Sequence, residues 1–454
     1  MIRRIFTPAQ SCRFFPPFLA ALLTGILCLP AWGETNPENA KREDSTSWRQ
    51  QAVHNARIMS RVEWTPVAAG MPTRGGYFQP GKQYTGVPYS SVKSVGRDIG
   101  FDIYLKTFLA AVQNPQSVLY TANLKGKVSN AECYYGKVCS TYTSYALQCG
   151  FPYVSRLNGP ESRSGVTLVE PQSAAATQVG DFIYTPPKSV GGGSHIAIIT
   201  EVTTNSSDQV THVRVEESWP QTTKNTNRSA EKFNTHLASR NNKLYRITDL
   251  DAWHGENSAA SFRFPNFEAD SASPQINRVL LLDLGDWVPY EKDQVVKFNI
   301  MDRDAKGVTS LVIQRDNRVI EKIEDPGLGV LERTFSTCGD YTAYCELKDG
   351  SQSQACEFSV CDLDFKLPDE EILVGKPFEL HFSSTNLEIA AIHFWSNQNM
   401  SGRHYVFVTA EDRKNGKVVI PAEAIQDRGD TQVWLIGENK YGRLKKRRNV
   451  DVQK

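Results

Sequence analysis

The sequence predicts an α+β domain followed by two all-β sandwich domains, on three observations. Helical spacing dominates the first part: "SWRQQAVHNARIMSRVEW" sets Trp48, Ala52, Ala56, Met59 and Val62 on one face, and "DIYLKTFLAAVQN" repeats the pattern with Ile103, Phe108 and Val112. From Gly180 the period changes to short Ile- and Val-rich runs separated by Gly, Asn, Ser and Asp: "GDFIYT", "SHIAIITEV" and "THVRVEES" read as consecutive antiparallel strands. Helices followed by strands argue for an α+β layer and against alternating βαβ units. Beyond about residue 267 only strand patterns remain, and 454 residues allow about three domains at ~150 residues each.

In chain order, residues 1–33 read as a signal peptide. Arg3 and Arg4 precede an apolar run ending in Ala31-Trp32-Gly33, small residues at both positions a signal peptidase reads. Ile26 and Leu27 before Cys28 do not fit a lipoprotein signal. No later stretch reaches the ~18 apolar residues of a membrane span, so the expectation is a periplasmic or secreted protein with no transmembrane segment after signal removal. Glu34 to Ser47 is polar and aperiodic, an expected mobile tail. The α+β domain is placed at residues 34–267, closing with the strand patterns "KLYRITDL" and "SFRFPN".

Two sandwiches follow, at 268–362 and 363–454. "NRVLLLDL", "QVVKFNIMD", "TSLVIQRD", "YTAYCELKD" and "QACEFSVC" give the first, with Asp349-Gly350 as a hairpin turn; "FKLPDEEILVGKPFELHF" to "TQVWLIGENKYGRLKKRRNV" gives the second. Their size and strand spacing predict immunoglobulin-like modules. A tyrosine corner would place Tyr two residues before Cys345, where Ala343 stands between Tyr341 and Tyr344.

With 51 basic and 50 acidic residues, nothing argues for a nucleic-acid partner. The cluster from Lys440 to Arg448 reads as a solvated face. Signal removal leaves seven cysteines, an odd number, so at least one thiol is unpaired. Four lie in "CGDYTAYCELKDGSQSQACEFSVC"; among three connectivities, Cys345 with Cys356 and Cys338 with Cys361 are preferred in an oxidising compartment.

The chemistry begins in "YYGKVCSTYTSYALQCG". Val138, Tyr142, Tyr145, Ala146 and Cys149 share a helical face, Gly150 and Pro152 end it, and Cys139 falls at its start. There the unpaired N–H groups and the positive end of the helix dipole favour a thiolate and can hold an oxyanion. The alternatives are an inert buried side chain or a disulfide. Cys149 lies roughly 15 Å along the helix, too far to bridge to Cys139. A bridge from Cys133 to Cys149 or to Cys139 stays open.

A thiolate needs a base. His195 follows the glycines of "VGGGSHIAIITEV" and shares a strand face with Ala197 and Ile199, so its imidazole leaves the sheet towards whatever packs there, expected to be the Cys139 helix. In "THVRVEESWP", Val213, Val215 and Glu217 share a face, which makes Glu217 the inward carboxylate and the partner of His195. Glu216 is the alternative if a bulge shifts the register. The other histidines show no zinc-ligand spacing, and neither a metal nor another cofactor is predicted.

This order of motifs resembles the NlpC-type papain-like cell-wall cysteine peptidases. "YTGVPYSS" is similar to the family's G-x-P-Y segment through Gly86, Pro88 and Tyr89, "VCSTYTSYAL" to its nucleophile helix, "VGDFIYT" to its Gly-Asp strand and "GSHIAIIT" to its histidine strand. The match covers roughly Tyr84 to Pro220. Val138 stands where the family has Asp, about fifty residues separate Tyr89 from Cys139, and Glu217 departs from the usual His, Asn or Gln. The resemblance implies a papain-like α+β fold and cleavage of a γ-D-glutamyl-diamino acid amide in the peptidoglycan stem peptide. Cys139, His195 and Glu217 would form the triad and Tyr89 would assist through its hydroxyl.

Two other readings stand beside the thiol hydrolase: a degenerate scaffold whose β domains bind a cell-wall carbohydrate or protein ligand, and a cysteine acyltransferase.

Overall fold

The computed structural model describes residues 37–73, 76–90, 97–98, 104–121, 135–136, 138–147, 165–186, 194–219, 221–249, 278–302, 305–396, 403–425 and 427–454. The expected signal peptide, the "SFRFPN" strand, Cys133, Cys149, Gly150, Pro152, Gly191 to Gly193 and His254 lie outside them. The chain divides into two units, Met1–Asp44 and Ser45–Lys454; the sheets and the candidate site lie in the second.

Helix α1 spans Pro37–Arg61. The expectation of a structureless tail up to Ser47 is thereby corrected. Proline is tolerated in a first turn, where its missing N–H costs nothing, and no glycine or proline interrupts the run to Arg61. Ala52, Ala56 and Met59 are buried at the spacing that predicted the helix. Helix α2 (Leu105–Gln113) buries Leu105, Phe108, Leu109 and Val112, and helix α3 (Cys139–Ala146) carries the candidate nucleophile.

Six antiparallel strands follow: β1 (Val166–Leu168), β2 (Phe182–Thr185), β3 (His195–Thr204), β4 (Val210–Ser218), β5 (Thr223–Ser229) and β6 (Lys243–Ile247), in the order β5-β4-β3-β2-β6-β1. Helix α4 (Ala230–Ala238) sits between β5 and β6 in the chain. Alternation divides the sheet's side chains cleanly. Ile196, Ile198, Phe182 and Tyr184 join Tyr142, Tyr145 and Ala146 of α3 in one core. Ala197, Ile199, Val213 and Val215 join Phe233 and Leu237 of α4 in another. Helices on both faces explain why β3 reads as a continuous apolar run.

Among the described residues, the region from residue 278 is all-β apart from short helical turns. Its strands are β7 (Leu280–Leu282), β8 (Val288–Glu291), β9 (Val295–Ile300), β10 (Val308–Arg315), β11 (Arg318–Glu324), β12 (Gly329–Thr334), β13 (Gly339–Leu347), β14 (Cys356–Lys366), β15 (Phe378–Thr385), β16 (Glu388–Ser396), β17 (Arg403–Phe407), β18 (Lys417–Ile420), β19 (Gly429–Asn439) and β20 (Gly442–Val452). The first sandwich faces β7-β9-β12 against β11-β10-β13-β14, with β8 parallel to β14. The second faces β14-β15-β18 against β17-β16-β19-β20. Both are immunoglobulin-like: in the second, the first, second and fifth strands form one sheet and the third, fourth, sixth and seventh the other, and the first repeats this order once β8, added beside β14, is set apart. β14 belongs to both: residues up to Val360 pair with β13 and those from Asp362 with β15.

Tyr341 donates its hydroxyl to Thr337 O at 2.6 Å. A tyrosine corner is thus present, four residues before Cys345 instead of two. The preferred disulfides do not form, since Cys338, Cys345 and Cys356 are thiols. Cys356 pairs with Ala343, while Cys345 O accepts from Ser353, so the two cysteines stand at diagonal positions. Diagonal neighbours lie about 7–8 Å apart, beyond the reach of a disulfide. Cys361 is likewise a thiol, and its Sγ faces the second sandwich, where Asn439 Nδ2 lies at 3.4 Å.

One core runs from α1 and α2 into the first sandwich. Asn114 Nδ2 donates to Leu282 O (2.9 Å), Thr107 Oγ1 to Trp287 O (3.0 Å), and the amide of Val118 to Asp283 O (3.0 Å). A β-carbon on Gly285, whose φ is +96°, would lie 2.2 Å from Thr107 O. Trp287 completes the junction: Lys106 Nζ sits 3.6 Å from its ring centroid, Tyr441 packs at 4.6 Å, and its indole N–H donates to Lys440 O.

Candidate active site

Cys139 is the first residue of α3. The residue before it, Val138, is extended and has no side-chain oxygen to cap the helix; Thr141 Oγ1 instead accepts the Val138 amide at 3.0 Å. The helical ladder opens with Tyr142 N donating to Val138 O, so the amides of Cys139, Ser140 and Thr141 have no partner within the helix. Cys139 is a half-buried thiol, which resolves the open question of a bridge to it.

His195 is the first residue of β3 and pairs with Thr185 of β2. Its alternation matches Ala197 and Ile199, which face α4, whereas α3 packs on the other face. The face expected from alternation is therefore corrected. The imidazole meets both sides because it stands at the strand's end. Nε2 lies 2.5 Å from Glu217 Oε2, and the Cys139 thiol is the other group that acts on the ring. With Nε2 held by the carboxylate, Nδ1 is the nitrogen left for the sulfur. Burial works against the charged imidazole, but the neighbouring Cys139 and Glu217 outweigh it and hold its pKa up to about 9. For Glu217 burial works the other way, and contact with His195, aided by Arg228 and His236, holds its pKa below the usual value. The ring of Trp219 stands edge-on to His195 at 5.4 Å.

Glu216 turns the opposite way and is fully buried. It accepts from Ser60 Oγ (2.6 Å), Thr200 Oγ1 (3.1 Å) and Tyr142 OH (3.2 Å), which joins α1, β3 and α3 at one carboxylate. Thr200 is the extra residue where the β3–β4 register shifts between Arg214 and Val215. The bulge exists, yet Glu217 remains the partner of His195. Tyr142, one helical turn after Cys139, was legible only as an apolar position; its hydroxyl also donates to Ala56 O at 2.8 Å.

Tyr89 is half-buried, and its amide donates to Gln221 O at 3.0 Å. The segment passes close to Gly136, where a β-carbon would lie 2.5 Å from Ser90 Cβ and 2.6 Å from Pro88 O. Tyr89 is thus carried beside the residues that lead into α3. Asp181, second residue of the Gly-Asp pair, has a structural duty: it is buried, receives Arg246 at 2.9 and 2.8 Å, and has Arg49 at 3.6 Å. A cleft of about 520 Å³ opens elsewhere, between Thr167, Glu170, Gln178 and Arg246, and none of the four predicted site residues lines it. Among the described residues no group of three His, Cys, Asp or Glu could hold a metal ion.

No family model and no curated protein matches this chain. The chain is similar to solved β-sandwich structures. The fibronectin(III)-like modules of Clostridium thermocellum CbhA are 10% identical, covering 37% of this chain and 89% of theirs, with a TM-score of 0.18. Titin A168–A169 is 13% identical over 39% of this chain and 98% of its own, TM-score 0.18, and the chicken CNTN1 FN1–FN3 domains are 10% identical over 37% and 62%, TM-score 0.18. At such scores these matches carry no argument by themselves; the sandwiches rest on their own strand order. The structural neighbours include no NlpC-type or papain-like protein, so the resemblance read from four short motifs is corrected. Each motif has a local reason: Gly86 (φ +84°) packs against Thr223, Asp181 binds two arginines, and His195 and Cys139 start their elements.

Proposed function

We propose that the chain is a thiol hydrolase of amide bonds, with Cys139 as nucleophile, His195 as acid and base, and Glu217 as the orienting acid. The observation that carries the reading is the imidazole held at 2.5 Å by the Glu217 carboxylate at the end of β3, with the Cys139 thiol acting on the same ring from the start of α3. Sulfur attacks the amide carbonyl, and the free amides at the start of α3 receive the oxyanion. His195 gives its proton to the leaving nitrogen, a thioester remains, and His195 then takes a proton from water as the thioester is hydrolysed. Tyr89 is the proposed flanking hydroxyl.

The predicted signal peptide implies export, and an amide of the peptidoglycan stem peptide is the first substrate to test. Alkylation of the mature protein by iodoacetamide is expected to label Cys139 at pH 7 at least about tenfold faster than a free thiol. His195→Ala should remove that advantage. Equal rates for Cys139, a free thiol and the His195→Ala protein would overturn the reading. Mass spectrometry of digested peptidoglycan, wild type against Cys139→Ala, reports the bond cut and separates hydrolysis from acyl transfer.

A further inference from the structure

The acyl half of a substrate is fixed at Cys139 Sγ and the start of α3, whereas the leaving nitrogen must come to the imidazole that protonates it. Whatever flanks His195 therefore reads the leaving group. Trp219 does so, with Lys224 beyond it, and neither has a part in the triad. Trp219, 37% exposed, stands 5.4 Å from the imidazole, and Lys224 Nζ stands 5.4 Å from the Trp219 ring. Lys224 lies opposite Glu217 in the β4–β5 register, yet its ammonium extends over Trp219 while Glu217 is taken by His195. Among the described residues it has no carboxylate partner.

We propose that Trp219 and Lys224 form the leaving-group subsite, and that it takes an amino acid or short peptide with an apolar stem and a free carboxylate. This rests on the thiol-hydrolase reading. The indole offers a flat apolar plate for the stem, and the lysine an unpaired cation at its far edge. A carboxylate one or two residues beyond the scissile nitrogen lies about 4–8 Å from it, a span suited to a cation placed one ring beyond the imidazole. The enzyme so described prefers substrates cut close to a free C-terminus.

The test uses the full mature chain and a library of N-acylated di- and tripeptides, each offered with a free and an amidated C-terminus. Cleavage is read by mass spectrometry. Free carboxylates should be favoured about threefold to fivefold, as expected for an exposed ion pair, with the difference in KM. Lys224→Gln should abolish the preference and Lys224→Glu reverse it, without changing Cys139 alkylation. The same library is also bound to Cys139→Ala protein, so that the preference is measured without turnover. Equal capture of free and amidated peptides, or a preference unchanged by Lys224→Gln, overturns the subsite. A Lys224-dependent binding preference without cleavage by the wild type supports the subsite and counts against the hydrolase.

Discussion

Replacing Glu217 by Gln keeps the side chain's size and removes the anion beside His195. The structure puts a scale on the consequence. The imidazole is held up to about 9 against an ordinary value of 6.5. At 1.36 kcal/mol per pH unit this amounts to about 3 kcal/mol of preference for the charged ring, shared between Cys139 and Glu217 and net of burial. The Glu217 share is then about 1–2 kcal/mol, so in Glu217→Gln His195 should titrate roughly one pH unit lower. Because the folded value is raised, the stabilisation is complete below pH 6.5 and is lost as pH rises through 9. Glu217, whose value is depressed, sets the lower edge: the same contact weakens when the carboxylate is protonated at acid pH. The cost of the substitution should therefore be greatest near pH 6 and vanish by about pH 10. Histidine labelled with ¹³C at Cε1, assigned by loss of the signal in His195→Gln, gives the titration; Tm differences across pH give the stability. An unchanged His195 titration in Glu217→Gln, or a Tm difference independent of pH, would refute the pairing.

Two further substitutions test the scaffold. Asp181→Asn leaves Arg246 and Arg49 without their shared anion and should destabilise the sheet by about 3–5 kcal/mol in thermal unfolding; a wild-type Tm would show that the buried carboxylate does not hold them. Gly285→Ala sets a β-carbon against Thr107 O and should loosen α2 from the first sandwich, read as faster hydrogen exchange over residues 105–113. Gly76→Ala, which meets nothing within 4 Å, should leave that exchange unchanged.

How much of the site was legible depends on how local its causes are. The period changes exposed α2, α3 and most strands, because apolar spacing follows directly from which face is buried. Glu217 was found by parity along one strand. The face met by His195 was misread, because parity gives the side of a sheet and not what happens at a strand's end. Glu216 was seen only as a substitute acid: its partners come from α1, β3 and α3, and no local pattern announces a contact between residues 60, 142 and 216. Strands β11 and β12 went unread because neither buries a residue fully, and Val319, Ile320 and Val330 are exposed. The disulfides failed because spacing along the chain does not say which residues stand directly opposite each other across β13 and β14. Family motifs of four to ten residues were misleading for the same reason: turns, strand starts and helix starts recur wherever the local geometry demands them.

The strand shared by the two sandwiches constrains how this protein can change its length. Between most domains a linker absorbs an insertion of any size. Here the joint is β14 itself, and side chains alternate strictly along it. One extra residue between Val360 and Asp362 would send Leu363 and Phe365 out of the second core and bring Asp362 and Asp364 in, whereas two would restore the pattern. The spacing between the modules can therefore grow or shrink only in steps of two residues, about 6–7 Å each, and the distance from the candidate site to the C-terminal module is a ruled quantity instead of a tether.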